Sequence, residues 1–430
     1  MTITLLIAAV DIEPGWAVGT VPDDDATIDR DILLDTTGHP WIPGSSLAGS
    51  LRAHLAAAEP DADVRLMGSR PPRNQAEAAR STASPLWIVG AEFTPTPSDG
   101  PGGTADALLE TVGQTAIDRE RGAAHAGSLR ISRLAARGGR LTVYLRHDDN
   151  PALSPDDLRL IASWQPAIGR DRTKGSGRAR LAQIRHGTID PGTVSGARIW
   201  LTHDGTQLFE TIATSVITCE PTGEPWLEAA FEITDGLLVG DHKVGRVIAA
   251  RKRGGQPLIP GSAWKGIIRS RIEYILRSRY GENAACTDPV GRSDCIACAV
   301  FGNRGQRGAL AFRDSYITCP TDPCPDVTRT HVGIDRVTGG ARDALLYETA
   351  HIPAGTVALR IDQLAPTPPW VRNAIWHVLR DIDDGLIGIG AKTTTGFGTL
   401  RLTDPTGELD ALEPVVVDSL ESRPEPKAGP

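Results

Sequence analysis

The sequence has no apolar run of the length needed to cross a bilayer as a helix. A helical membrane span is therefore excluded, and no membrane partner is expected. It is also poor in cysteine, and six in 430 residues do not make a disulfide scaffold. Five of the six fall between Cys286 and Cys324. That grouping points to a metal site in a reducing compartment, so the expected location is cytoplasmic. An excess of positive charge is missing too: 45 Lys and Arg stand against 53 Asp and Glu, for a net charge of −8. Spread evenly, that balance argues weakly against a nucleic-acid partner. The basic residues are clustered, however, as in Arg119 to Arg140, Arg170 to Arg180 and Arg246 to Arg253. Met1 to Val10 is apolar without a positively charged start, which reads as a first strand and not as a signal peptide.

The most informative feature is an internal repeat. Pro43-Gly44-Ser45, followed by Gly49 and Arg52, reappears as Pro260-Gly261-Ser262, followed by Gly266 and Arg269, at an offset of 217 residues. Ile117-Asp118-Arg119 and Ile334-Asp335-Arg336 lie at the same offset. Lys174-Gly175-Ser176-Gly177 and Thr395-Gly396-Phe397-Gly398 make a third pair, offset by 221. A long period that occurs twice means tandem domains, because solenoid repeats are much shorter.

Each half reads in one order. An opening strand (Thr2 to Ile7; Leu227 to Thr234) is followed by a helix (Leu47 to Ala58; Ala263 to Arg279). Strands come next (Leu129 to Arg146; Leu345 to Ile361), then a second helix (Ser154 to Ala167; Pro369 to Arg380). A Gly-rich loop and a last strand close the half. Pro60 to Gly103 reads as loop or insertion, and Arg198 to Thr202 as a strand. The expected fold class is α+β: two tandem ferredoxin-like (RRM-like) domains with projecting hairpins and insertions. Domain 1 spans 1–190, a connecting segment 191–223, domain 2 224–405 and a disordered tail 406–430.

Pro-Gly-Ser-x-x-x-Gly-x-x-Arg after a strand, with a terminal Gly-x-Gly loop, resembles the RAMP superfamily, the RNA-binding subunits of CRISPR interference complexes. The resemblance spans Met1 to Leu402 in two copies. Ile28-Asp29-Arg30-Asp31 through Pro43-Gly44-Ser45 is similar to the backbone subunits of type III effectors, as is Ile334-Asp335-Arg336 to Gly340. It implies a fused double backbone subunit of an antiviral ribonucleoprotein. The implied partners are guide RNA, target RNA and other subunits of a type III CRISPR complex. It further implies that hairpins after Ile117 and Ile334 project as thumbs, and that Asp29 is the target-cleaving residue.

The residues themselves suit a polyanion. At Gly44-Ser45-Ser46 and Gly261-Ser262, a glycine permits close approach, and hydroxyl and helix-start N–H groups can hold a phosphate. Ser45 or Ser46 as a plain helix cap is the alternative. Arg52, Lys265 and Arg269 follow within reach of the next phosphate, and Arg119 and Arg336 stand at the hairpins. Lys174, Gly175, Ser176 and Gly177, with Lys392, Thr393, Gly396, Phe397 and Gly398, are Gly-rich loops able to form an anion nest. Phe397 stacks on a base or belongs to the core. Asp29, in the acidic segment that includes Asp23, Asp24 and Asp25, is the candidate to hold Mg2+ or another divalent ion, or to activate a 2′-hydroxyl. The second copy has Arg246 at that offset, with Asp241 and His242 as the nearest substitutes.

Cys286, Cys295 and Cys298 have zinc-ligand spacing, and the resemblance makes that Zn2+ structural. Cys319, Cys324 and His331 are candidates for the fourth ligand. Two other readings stand beside target cleavage: a purely architectural RNA-binding subunit, and a guide-processing endoribonuclease using His39 or His242.

Overall fold

The computed structural model describes residues 2–21, 27–72, 74–97, 108–119, 122–148, 151–219, 223–244, 247–287, 294–403, 407–410 and 412–418. Asp23, Asp24, Asp25 and Arg246 lie outside the described residues, as do the side chains of Asp241 and His242. The chain divides into two compact units. Unit 1 holds Met1–Thr111, Arg133–Arg172 and Ser176–Gly223; unit 2 holds Val112–Ser132, Thr173–Gly175 and Glu224–Pro430.

Along the chain, unit 1 runs β1 (Ile3–Ile12), β2 (Gly19–Thr20), β3 (Asp31–Ile32), α1 (Gly44–Ala58), α2 (Ala62–Met67), α3 (Gln75–Ala78) and β4 (Leu86–Pro95). A ribbon of β5 (Leu109–Gln114) and β6 (Arg130–Ala135) follows, whose stretch Val112–Ser132 belongs to unit 2. Then come β7 (Gly139–Asp148), α4 (Pro155–Ala162), β8 (Ala179–Ile189), α5 (Val194–Thr202), α6 (Gly205–Ile212) and β9 (Ser215–Thr218). The sheet order is β4-β7-β1-β8-β9, antiparallel throughout. β1 is central and buried on both faces. Its Ile3, Leu5 and Ile7 pack with Leu208 and Phe209 of α6, and its buried Leu6, Ala8 and Val10 take the opposite face.

Two expectations are corrected in this unit. Arg198 to Thr202 is helical, not a strand: Thr193 caps α5 through its hydroxyl on the Gly196 N–H at 3.1 Å, and Ile199 and Trp200 pack on the sheet. The segment 191–218, read as a connection, is thus built into unit 1. The stretch Pro60 to Gly103, read as loop or insertion, is not loop throughout, since it contains the edge strand β4. Of the two candidate caps for α4, Ser154 and Asp156, it is Ser154 that caps it, in a capping box with Asp157.

Unit 2 continues with β10 (Leu227–Ile233), β11 (Gly240–Val244), β12 (Val247–Ala250), β13 (Lys252–Arg253), β14 (Gln256–Ile259), α7 (Gly261–Tyr280) and α8 (Ile296–Phe301). After these come β15 (Leu310–Phe312), β16 (Ser315–Tyr316), β17 (Val327–Ile334), β18 (Ala341–His351), β19 (Gly355–Gln363), α9 (Pro369–Asp383), β20 (Leu400–Leu402) and α10 (Gly407–Asp410). The main sheet is β15-β19-β10-β20, again antiparallel. Its first strand is central, flanked by the third and fourth, with the second outside the third. β1, β4, β7 and β8 stand in the same order in unit 1, and this is the ferredoxin-like arrangement of an α+β fold. β10 alternates buried and exposed residues, so this sheet packs its helices on one face only.

β17 and β18 form a long hairpin pairing Val327 with His351 and Ile334 with Ala341. Near the C-terminus, Val415 and Val417 are buried in the core of unit 2. The Val417 N–H donates to the Tyr280 hydroxyl at 2.9 Å. The stretch 412–417, assigned to the tail from its composition, is therefore packed. Residues 419–430 lie outside the described ones.

Candidate nucleic-acid interface and metal centre

Both motif helices begin the same way. Pro43 caps α1 and Pro260 caps α7, each extended and neither with a side-chain hydrogen bond. Ser45 and Ser46 lie inside the first turn, so the reading of either serine as the cap is corrected. Ser45 is exposed, while Ser46 and Ser262 are half-buried. The two starts differ in what meets them. In α7 the Gly261 N–H already donates to the Asp314 carboxylate at 2.7 Å, and Arg253 neutralises that carboxylate at 2.6 Å. A Cβ on Gly261 would lie 2.0 Å from the Phe312 carbonyl oxygen, and one on Gly175 2.3 Å from Asp314 Oδ1, so close approach makes both glycines obligatory. Lys265 is buried and donates to the Thr173 hydroxyl at 2.9 Å.

The motif arginines have structural work. Arg52 donates to the Gly68 carbonyl at 3.0 Å and to that of Met67, and lies 3.7 Å from buried Asp63. Arg269 donates to the Gly302 carbonyl at 2.8 Å and to fully buried Glu273 at 2.7 Å. Each holds a glycine carbonyl; Arg269 is paired with a buried carboxylate, and Arg52 stands beside one that Arg70 grips through two bonds of 2.8 Å. Arg119 is likewise engaged, with Glu273 at 3.0 Å and the Cys286 carbonyl at 3.2 Å. The basic clusters are also largely neutralised. Arg140 and Arg180 pair with Asp11 at 2.7 and 3.1 Å, Arg178 pairs with Glu13, and Arg251 and Arg253 are buried.

In the Gly-rich loops, Lys174 and Ser176 are half-buried, and Gly177 has φ +70° against the Ile168 carbonyl. The N–H groups of Thr395, Gly396, Phe397 and Gly398 all donate to backbone carbonyls, which leaves little of the expected nest. Thr393, Thr394 and Gly396 are exposed. Lys392 reaches the Tyr347 hydroxyl at 2.9 Å and lies over that ring. Phe397 is 1% exposed and packs edge-on against His351; of the two readings open to it, core and base-stacking platform, it takes the core one. Gly398, at φ +80°, sits too close to the Ile389 carbonyl for any Cβ. Asp335 accepts from the N–H groups of Val337 and Thr338, both at 2.9 Å. The Thr338 N–H contact first holds its pKa below the usual carboxylate value. It braces its own turn, while Arg336 is exposed beside it.

Asp29 is exposed just ahead of β3. Its neighbours are locked in place: the Arg133 guanidinium holds the Asp31 carboxylate at 3.1 Å, and Arg170 donates to the carbonyls of Asp31 and Arg30 at 2.7 and 3.1 Å. Among the described residues, no group of three acidic, histidine or cysteine side chains able to hold a metal includes Asp29.

Such a group does form from Cys286, Cys295 and Cys298. All three are buried, and their sulfurs lie within 4.8 Å of one another. A tetrahedral zinc with bonds of about 2.3 Å sets its sulfurs roughly 3.8 Å apart, so the trio fits. Burial opposes the Cys295 thiolate, but the N–H groups of Cys286 and Cys298 more than offset it and lower its pKa. Arg269 donates to Cys298 Sγ at 3.1 Å. The three other candidate ligands are corrected. Cys319 and Cys324 form a disulfide with each other, and His331 stacks on Tyr347 and bonds to the Thr349 hydroxyl.

Residues 204–401 match the family model of the RAMP superfamily. The match takes in α7, the cysteine cluster, the β17–β18 hairpin and the second Gly-rich loop, and leaves residues 1–203 outside. None of the curated proteins matches the chain. No helix among the described residues is long and apolar enough to cross a membrane.

Two outcomes follow for the RAMP-matching region and its motif arginines. Arg269→Ala should lower unfolding free energy by about 2–3 kcal/mol, because a buried carboxylate loses one of its two cations; chemical denaturation checks it. Purified protein should carry about one equivalent of zinc by elemental analysis. Cys295→Ser should lose it together with thermal stability, and full stability without metal would count against the site.

Proposed function

We propose that the chain is a double backbone subunit of a type III CRISPR ribonucleoprotein, and that its first repeat cuts guide-matched target RNA through Asp29. The observation that carries this reading is the pairing of two like helix starts with two like sheets. Pro-Gly-Ser opens the helix after the central strand in both units, and the RAMP match covers one of them. In this reading domain 1 spans 1–190 and domain 2 224–405. Guide RNA lies along Ser45, Lys174, Ser262, Lys392 and Thr393, through backbone-directed contacts that ignore sequence. The hairpins around Asp118 and Asp335 project between bases.

Asp29 supports a cutting role by its placement. It is an exposed carboxylate on a segment clamped by Arg133 and Arg170. Set against a ribose 2′-hydroxyl, it would accept that proton as the oxygen attacks the adjacent phosphate. The 2′-oxygen–phosphorus bond forms, the bond to the 5′-oxygen breaks, and that oxygen takes a proton from water. A purely architectural subunit, in which neither copy cuts, is the second reading. The zinc expected at Cys286, Cys295 and Cys298 would tie the start of α8 to the chain after α7.

In the assembled complex, Asp29→Ala should remove one cut in the target RNA, leaving assembly and RNA binding intact. Unchanged cleavage would leave the architectural reading as the better one. Asp241→Ala should have a smaller effect.

A further inference from the structure

In unit 1 a cavity of about 440 Å³ opens between the loop leading into α1 and the edge strand β4. Trp41, Phe93 and Leu141 give it apolar walls, and Asp35, His39 and Thr94 give it polar ones. Its size sits at the small end for organic ligands, which occupy roughly 300–1,000 Å³.

The wall that carries His39 and Trp41 is rigid. The Asp35 N–H donates to the His39 carbonyl at 2.9 Å, and the Trp41 N–H to the Leu33 carbonyl at 2.9 Å. Inside this tight loop, Asp35 Oδ1 accepts from the Thr37 N–H at 2.8 Å, the Thr37 hydroxyl at 2.7 Å and the His39 N–H at 2.9 Å. These bonds, led by the Thr37 hydroxyl, hold the Asp35 pKa below its ordinary value.

This relay fixes the tautomer of His39. The Thr37 hydroxyl has one proton and gives it to Asp35. Its oxygen, 2.7 Å from His39 Nδ1, must then accept the proton of that nitrogen. In the neutral ring, Nε2 is left as a hydrogen-bond acceptor on a residue that lines the cavity. Trp41 is 43% exposed, so a large flat ring on a fixed backbone faces solvent. Unpaired bases are commonly held by stacking on such rings.

We propose that this cavity seats one unstacked ribonucleoside of a bound RNA strand, its base against Trp41 and a donor on His39 Nε2. The donor is an exocyclic amino group or the ribose 2′-hydroxyl, both of which RNA supplies. The proposal rests on the RNA-binding reading and deepens it, because the site belongs to the first repeat alone. At the offset of 217 residues the second copy has Lys252 for Asp35, Gln256 for His39 and Leu258 for Trp41, and Leu258 is 1% exposed. The loop that forms the cavity runs directly into Pro43 and the start of α1. A base seated here therefore belongs to a strand passing the Pro-Gly-Ser turn.

The test uses the full-length chain and single-stranded RNA carrying 6-thioguanosine. Fluorescence anisotropy reports overall binding. Near-ultraviolet irradiation, trypsin and mass spectrometry then locate the adduct. An adduct is expected in the tryptic peptide from Asp31 to Arg52. Its yield should fall about tenfold in Trp41→Ala, in keeping with base–aromatic stacking, and should fall also in His39→Ala, with overall affinity little changed. Trp41 is half open to solvent, and circular dichroism would verify that the variants fold. RNA binding without an adduct in this peptide, or an adduct indifferent to Trp41→Ala, overturns the cavity proposal and leaves the RNA-binding reading standing. Failure of the wild-type chain to bind RNA overturns both.

Discussion

A buried carboxylate must be neutralised, and in both halves of this protein the motif arginine stands beside one: Arg269 pairs with it directly, and Arg52 supports the Arg70 pair. Glu273 is fully buried on α7, between Arg269 and Arg119. Asp63 is 1% exposed on α2 and lies between Arg70 at 2.8 Å and Arg52 at 3.7 Å. Leaving such a group unpaired costs several kcal/mol (of the order of 3–5), so these arginines are fixed before any ligand is considered. The same guanidinium also holds a glycine carbonyl, at Gly68 or Gly302. That pins each motif helix to the chain beyond it and keeps the Pro-Gly-Ser turn in place. In unit 2 the arrangement reaches further, because Arg269 also touches Cys298. The cysteine cluster, the helix and Arg119 of the first hairpin thus share one polar centre.

This constraint redistributes the positive charge. Many arginines that look available in the sequence are committed to Asp11, Glu13, Asp31 or Asp314. Among the described residues, Arg304, Arg307, Arg329, Arg336 and Arg342 face outward in unit 2, with Lys392 over Tyr347 and the threonines at 393 and 394.

Much of the fold was legible because the patterns are local. The alternation in β10, the Ser154 cap and the helical run after Pro260 each state their structure within a few residues. The cysteine trio was legible for the same reason, since its spacing carries the chemistry. The arginine roles were not, because the partners Asp63 and Glu273 show their burial only after packing. Phe397 was left open between base and core, and its place depends on His351 across the sheet. The α5 segment was misread because apolar Ile199, Trp200 and Leu201 look alike in a strand or a helix. The cavity beside Trp41 was invisible, because β4 was hidden in a stretch that composition marks as loop.

The proposed role requires guide RNA to be held along two like domains. The most direct measurement is sequencing of the RNA that co-purifies with the full-length tagged chain when it is expressed with a CRISPR array and the neighbouring subunits. The account predicts short array-derived RNAs, protected from added nuclease, with a common repeat-derived end. Recovery of bulk cellular RNA alone, or of no RNA, would contradict it.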